Sequence, residues 1–102
     1  MPEFGSGPRL FDKKMGLTHA EFQRGLDRLF GPAAPRLADG TAIWTGEDGR
    51  RATFTLGPTG RHTIALLSLP LTPVRIALDG FDDAAAADFM RAFDRTFQKG
   101  GG

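Results

Sequence analysis

Few residues of this chain could do acid–base, metal or nucleophilic chemistry. Its 102 residues include two histidines, His19 and His62, and no cysteine or tyrosine; serine occurs only at Ser6 and Ser68. Neither histidine has a second one at i+2 or i+4, the spacing that would offer two imidazoles to one metal. Without cysteine there is no thiol nucleophile, no thiolate zinc site and no disulfide scaffold, which fits a reducing compartment. Ser68 lies in the apolar run Thr63-Ile64-Ala65-Leu66-Leu67-Ser68-Leu69, with no G-x-S-x-G elbow around it. Asp79, Asp82 and Asp83 could together hold a divalent cation. They lack calcium-loop spacing, and aspartates at a helix start cap amides and complement the helix dipole. No catalytic residue, metal or cofactor is therefore expected, and the chain reads as non-enzymatic.

Charge narrows the field further. Lys and Arg number 13 against 12 Asp and Glu, so no long-range field attracts a polyanion. Arg50, Arg51, Arg61 and Arg75 could form a basic stripe, which keeps a nucleic-acid module as an alternative. With Trp44 as the sole tryptophan, few aromatics remain to stack bases, so nucleic acid is not the expected partner. Gly57-Pro58-Thr59-Gly60 matches a G-x-x-G backbone clamp only superficially, because that clamp lies between helices. The longest stretch free of charge and glycine, His62 to Val74, is too short to span a bilayer. The N-terminus has no apolar signal core. A cytoplasmic chain with no membrane contact is the expectation.

One domain is expected from the length. Residues 1–14 read as a vector-encoded leader or a disordered arm. Glu3-Phe4-Gly5-Ser6 is what two adjoining cloning sites, GAATTC and GGATCC, encode, and a second possible start, Met15, follows. Residues 15–99 are the expected domain and 100–102 a flexible glycine tail. Thr18 and Glu21 form a T-x-x-E capping box, with Leu17 and Phe22 placed as a hydrophobic staple. Phe22, Leu26, Leu29 and Phe30 then share one helical face, and Gly31-Pro32 ends the helix. Four strands are predicted: Thr41–Thr45, Arg51–Leu56, His62–Leu69 and Val74–Leu78. Turns are expected at Glu47-Asp48-Gly49 and Gly57-Pro58-Thr59-Gly60, and a bend between Pro70 and Pro73. A second helix starts near Asp82 or Asp83, with Ala86, Phe89, Met90, Phe93 and Phe97 as its apolar stripe. The expected fold is α+β, a four-stranded antiparallel meander in the order α-β-β-β-β-α. Both helices should pack on one face, over a core of Phe22, Leu26, Phe54, Val74, Ile76, Phe89, Phe93 and Phe97.

Gly100-Gly101-Gly102 resembles the exposed diglycine tail of ubiquitin-like proteins and of sulfur carriers with that fold. The resemblance covers these residues alone and implies a carrier activated at its terminal carboxylate. In that family the tail follows a strand, whereas here it follows a predicted helix. Helix, antiparallel sheet, helix is also the order in frataxins, which bind iron through an acidic first helix. Helix one here offers only Glu21 and Asp27, so that likeness implies topology without an iron site.

The main functional signal is surplus apolar surface. Alternation along His62–Leu69 puts Ile64 and Leu66 on one face and Leu67 and Leu69 on the other, where Ile43 or Trp44 joins them. Two helices cover one face only, and a strand apolar on both faces is normally buried on both. A protein-binding or adaptor module is therefore expected, acting through a helix-free sheet face. Trp44, Leu67 and Leu69 form its contact and Arg51 and Arg75 its rim. A second copy of the chain is the expected partner, because a two-fold buries the same patch twice.

Overall fold

A computed structural model describes residues 8–99. The elements are β1 (Arg9–Met15), α1 (His19–Phe30), a 3-10 turn (Gly31–Ala33), β2 (Thr41–Thr45), β3 (Arg51–Leu56), β4 (Gly60–Ile64), β5 (Leu67–Asp79) and α2 (Asp83–Lys99). They form an α+β unit, a five-stranded antiparallel sheet with two helices. The sheet order is β1-β5-β3-β2, with β4 paired to the other half of β5.

The helix ends form as their sequences require. The Glu21 amide donates to Thr18 Oγ1 at 3.2 Å, and the Thr18 amide donates to Glu21 Oε1 at 2.8 Å, so two orphan donors are satisfied reciprocally. Asp82 Oδ1 accepts from the Ala85 amide at 2.8 Å, which gives that aspartate the capping role. Both helices meet Phe54 of β3: its ring lies 5.8 Å from Phe22 and 6.1 Å from Phe93. Ala52, Phe54 and Leu56 of β3 and Val74, Ile76 and Leu78 of β5 are buried on that same face. Of the expected core, only Phe89 stays half-buried, packed against the rest.

The four-strand meander needs three corrections. First, Arg9–Met15, of which all but Met15 was set aside with residues 1–14, is a paired edge strand, running from Arg9↔Leu78 to Met15↔Thr72. Its inward set is Arg9, Phe11, Lys13 and Met15, too polar to read as a strand. At a sheet edge the charged pair reaches outward instead: Arg9 pairs with Asp83 at 2.7 Å and Lys13 with Asp94 at 3.2 Å. Residues 1–7 of that segment, and the glycine tail, lie outside the described residues.

Second, His62–Leu69 is not one strand. The chain reverses at Ala65-Leu66, so that Ile64 pairs with Leu67. Third, Gly57–Gly60 does not reverse the chain. Arg51 pairs with Asp79 and Leu56 with Val74, while Gly60 pairs with Leu71. Gly57, Pro58 and Thr59 therefore oppose only Thr72 and Pro73, which is one extra residue and hence a bulge. β3 and β4 run along the same edge of β5, interrupted by it.

Pro70 is accommodated by backbone direction. Pro73 accepts from the Gly57 amide at 2.9 Å, so β5 residues 67, 69, 71 and 73 direct their backbone groups toward β3 and β4. The alternate residues, Pro70 included, direct theirs to the opposite edge. β1 has ended there, so the missing N–H of Pro70 costs no ladder bond.

Candidate binding surface

Beyond the bulge, β4 and the first five residues of β5 leave the helices behind. They form a two-stranded arm about 17 Å long at ~3.3 Å per residue, within a molecule 52 Å in its longest dimension. Every residue from Gly60 to Leu69 is exposed. Cross-strand partners share a face, so Ile64/Leu67, His62/Leu69 and Gly60/Leu71 line one side and Thr63/Ser68 and Arg61/Pro70 the other. One side is thus aliphatic and the other polar. Ile64 is 53 % exposed, Leu67 64 % and Leu69 44 %, and Leu66 at the tip is fully exposed.

The root of the arm is held by a hydroxyl chain that gave no sequence signal. Thr72 is fully buried and donates through Oγ1 to the Leu17 carbonyl at 2.5 Å. Thr59 Oγ1 lies 2.7 Å from Thr72 Oγ1 and donates to it. His19 Nε2 donates to the Gly57 carbonyl at 2.7 Å, which ties α1 to the bulge. That contact gives His19 a structural part in positioning the arm, while His62 points along the arm's aliphatic side.

The structure does not assemble the expected contact residues into one patch. Trp44 faces the helices, stacked on Phe30 at a centroid distance of 5.2 Å, and Ile43 is the residue of that pair on the open face. Leu67 and Leu69 lie on the arm, on the side continuous with the helix-free face. Ile64 joins them because the bulge and the tight turn reset the alternation, and Leu66 forms the tip. Arg51 and Arg75 are exposed on the helix-free face itself. That face is largely polar, with Thr53, Thr55, Asp79 and Asp12 among the residues pointing from it. Its two exposed aliphatics, Leu10 and Ile43, are on opposite edge strands.

The arginines form no stripe. Arg75 is bound by both carboxylate oxygens of Asp12, at 2.7 and 3.0 Å. The hydrogen bond from Arg75 holds the Asp12 carboxyl below the usual carboxylate range, and Asp12 raises Arg75 in turn. Arg50 pairs with Asp48 at 3.1 Å and sits over the Phe81 ring. Arg61 is on the polar side of the arm. Among the described residues no helix is long and apolar enough to cross a membrane. No family model matches the chain, and no curated protein or solved structure matches it either.

Proposed function

We propose that this protein is a non-enzymatic binding module whose contact element is the β4–β5 arm. One observation carries the reading: Ile64, Leu66, Leu67 and Leu69 are exposed together on one side and the tip of a ribbon that no other element among the described residues covers. A lone two-stranded hairpin is marginal in water and gains stability when a further strand or layer meets its apolar side. Fully burying each such side chain is worth about 1.5–3 kcal/mol. A clustered aliphatic patch of this kind marks a protein contact far more often than an isolated exposed leucine does. The expected contact thus moves from the sheet's open face to the arm continuous with it, and Leu67 and Leu69 remain at its centre. A second copy remains the expected partner.

A photo-reactive phenylalanine analogue placed at Leu66 tests this in cells that express the chain. A polypeptide adduct is expected at position 66 and not with the same group at Arg24, which is exposed on α1. Leu67→Asp with Leu69→Asp should abolish the adduct while leaving the fold intact, because neither side chain reaches the core. Equal labelling from positions 66 and 24 would rule the arm out as the contact element.

A further inference from the structure

We infer that the free edge of β4 docks against the same edge of a second copy, antiparallel about a two-fold axis through His62. The inference rests on the reading of the arm as the contact element and names both its occupant and its register.

The sheet's edges are not equivalent. On the β5 side of the arm, Pro70 removes an outward N–H. The outer edge of β1 is flanked by Asp12, Lys13 and Lys14, charges that discourage strand pairing. The outer edge of β2 is partly occupied, since Thr41 and Ala38 exchange backbone hydrogen bonds at 2.9 and 3.0 Å. β4 is the least protected edge: Gly60-Arg61-His62-Thr63-Ile64 contains no proline, lysine or acid, and its single charge is Arg61.

Backbone direction then selects the register. Gly60, His62 and Ile64 oppose the β5 residues that point toward β4, so they bond across the arm. Arg61 and Thr63 direct their N–H and C=O groups outward. Centring a two-fold on His62 sets Arg61 of each copy opposite Thr63 of the other. All the outward groups of the two residues are then satisfied, in four hydrogen bonds. Centring on Arg61 or Thr63 satisfies only half of them, and centring on Arg61 also sets like charges face to face. In the favoured register Gly60 lies opposite Ile64 of the other copy and leaves it room. The two arms become one four-stranded ribbon with a continuous aliphatic side, which meets the strand number a stable sheet needs. A net charge of +1 puts no long-range repulsion between the copies.

Because the chain has no cysteine, single cysteines report this register directly. His62 would face its counterpart in a non-hydrogen-bonded pair with Cα atoms about 4.5 Å apart, within disulfide reach. The full chain carrying His62→Cys should form a covalent dimer under mild oxidation, and Ser68→Cys, on the proline-closed edge, should not. In sedimentation at up to roughly 100 µM, a range suited to a small interface, the cysteine-free chain should self-associate. Thr63→Pro removes an outward N–H without touching the bonds within the arm, and should weaken association about tenfold or more. Ser68→Pro should leave it within about twofold. A monomer throughout, or equal cross-linking at 62 and 68, overturns the edge-to-edge dimer. Association that survives Thr63→Pro but is lost with Leu67→Asp also overturns it, while leaving the arm as a contact through its face. If the Leu66 adduct is absent as well, the reading of the arm fails too.

Discussion

Ala65 is where one residue decides the shape of the arm. It takes φ 55°, a conformation that costs an L-residue about 1–2 kcal/mol and glycine almost nothing. Its alanine is also why the reversal was illegible in the sequence: Ala65-Leu66 carries none of the Gly, Asn or Asp that mark a two-residue turn. Ala65→Gly should therefore strengthen the arm by about 1 kcal/mol, which slows exchange of the His62 and Ile64 amides about fivefold. Unchanged or faster exchange would show that the alanine stores no strain. Asp12 makes a second prediction at this scale. Its carboxyl titrates lower in the folded chain than in the unfolded one, because Arg75 donates to it. The stabilising effect is therefore present above the unfolded value, about 3.9, and is lost as the pH falls through the lower folded value. Asp12→Asn should flatten the loss of stability below about pH 4, in denaturant melts run across that range. Both side chains are exposed, so the effect should be small and screened by salt. Identical acid limbs in the two proteins would mean that the ion pair does not differ between folded and unfolded states.

Among the elements, the helices were legible because several local signals agree: a capping box, a staple, a glycine–proline stop and a 3.6-residue stripe. Their mutual approach was not legible, because it turns on one small residue. Gly25 is buried in α1, and a Cβ there would fall 2.2 Å from the Phe97 ring of α2. Alanine at that position gains about 1 kcal/mol in helix propensity, but forces aside a ring that is stacked on Phe22 at 4.9 Å. Overpacking of this sort costs about 1–3 kcal/mol, so Gly25→Ala should destabilise on balance, by about 1 kcal/mol in denaturant unfolding. A gain in stability would mean that Phe97 relaxes without cost. The strands were legible where alternation met a hydrophobic neighbour, as in Arg51–Leu56. β1 was missed because its inward Arg9 and Lys13 satisfy themselves on α2 acids, a tertiary arrangement that no strand pattern carries. The bulge at Gly57–Thr59 was read as a turn, since proline and glycine punctuate both. That one residue reversed the face assigned to every β4 side chain.

At the scale of the whole molecule, the chain divides into a body and an arm. Among the described residues every large buried side chain, from Leu17 and Phe22 to Phe93 and Phe97, belongs to the body. The surplus of aliphatic residues in Ile64–Leu69 was visible in the sequence. Its location was not, because alternation along one uninterrupted strand assigns it to a sheet face. A body complete without the arm implies that the arm can be removed. Gly60 and Leu71 are direct cross-strand partners, so replacing residues 61–70 with Asn-Gly closes a short hairpin without moving either end. The root contacts, Thr59 to Thr72 and Thr72 to Leu17, are retained. The excision removes residues that are exposed, apart from the half-buried Pro70, and takes none from the core. Stability should change by no more than about 1 kcal/mol, which for a domain of this size is a shift of roughly 4–8 °C in Tm. Unfolding should stay cooperative, and the Leu66-dependent contact and self-association should both disappear. Calorimetry and sedimentation on the shortened chain measure the two halves separately. A fall in Tm well beyond that range would place the arm within the cooperative unit. Self-association that persisted without it would move the contact to the body, where Leu10 and Ile43 are the exposed aliphatics of the open face.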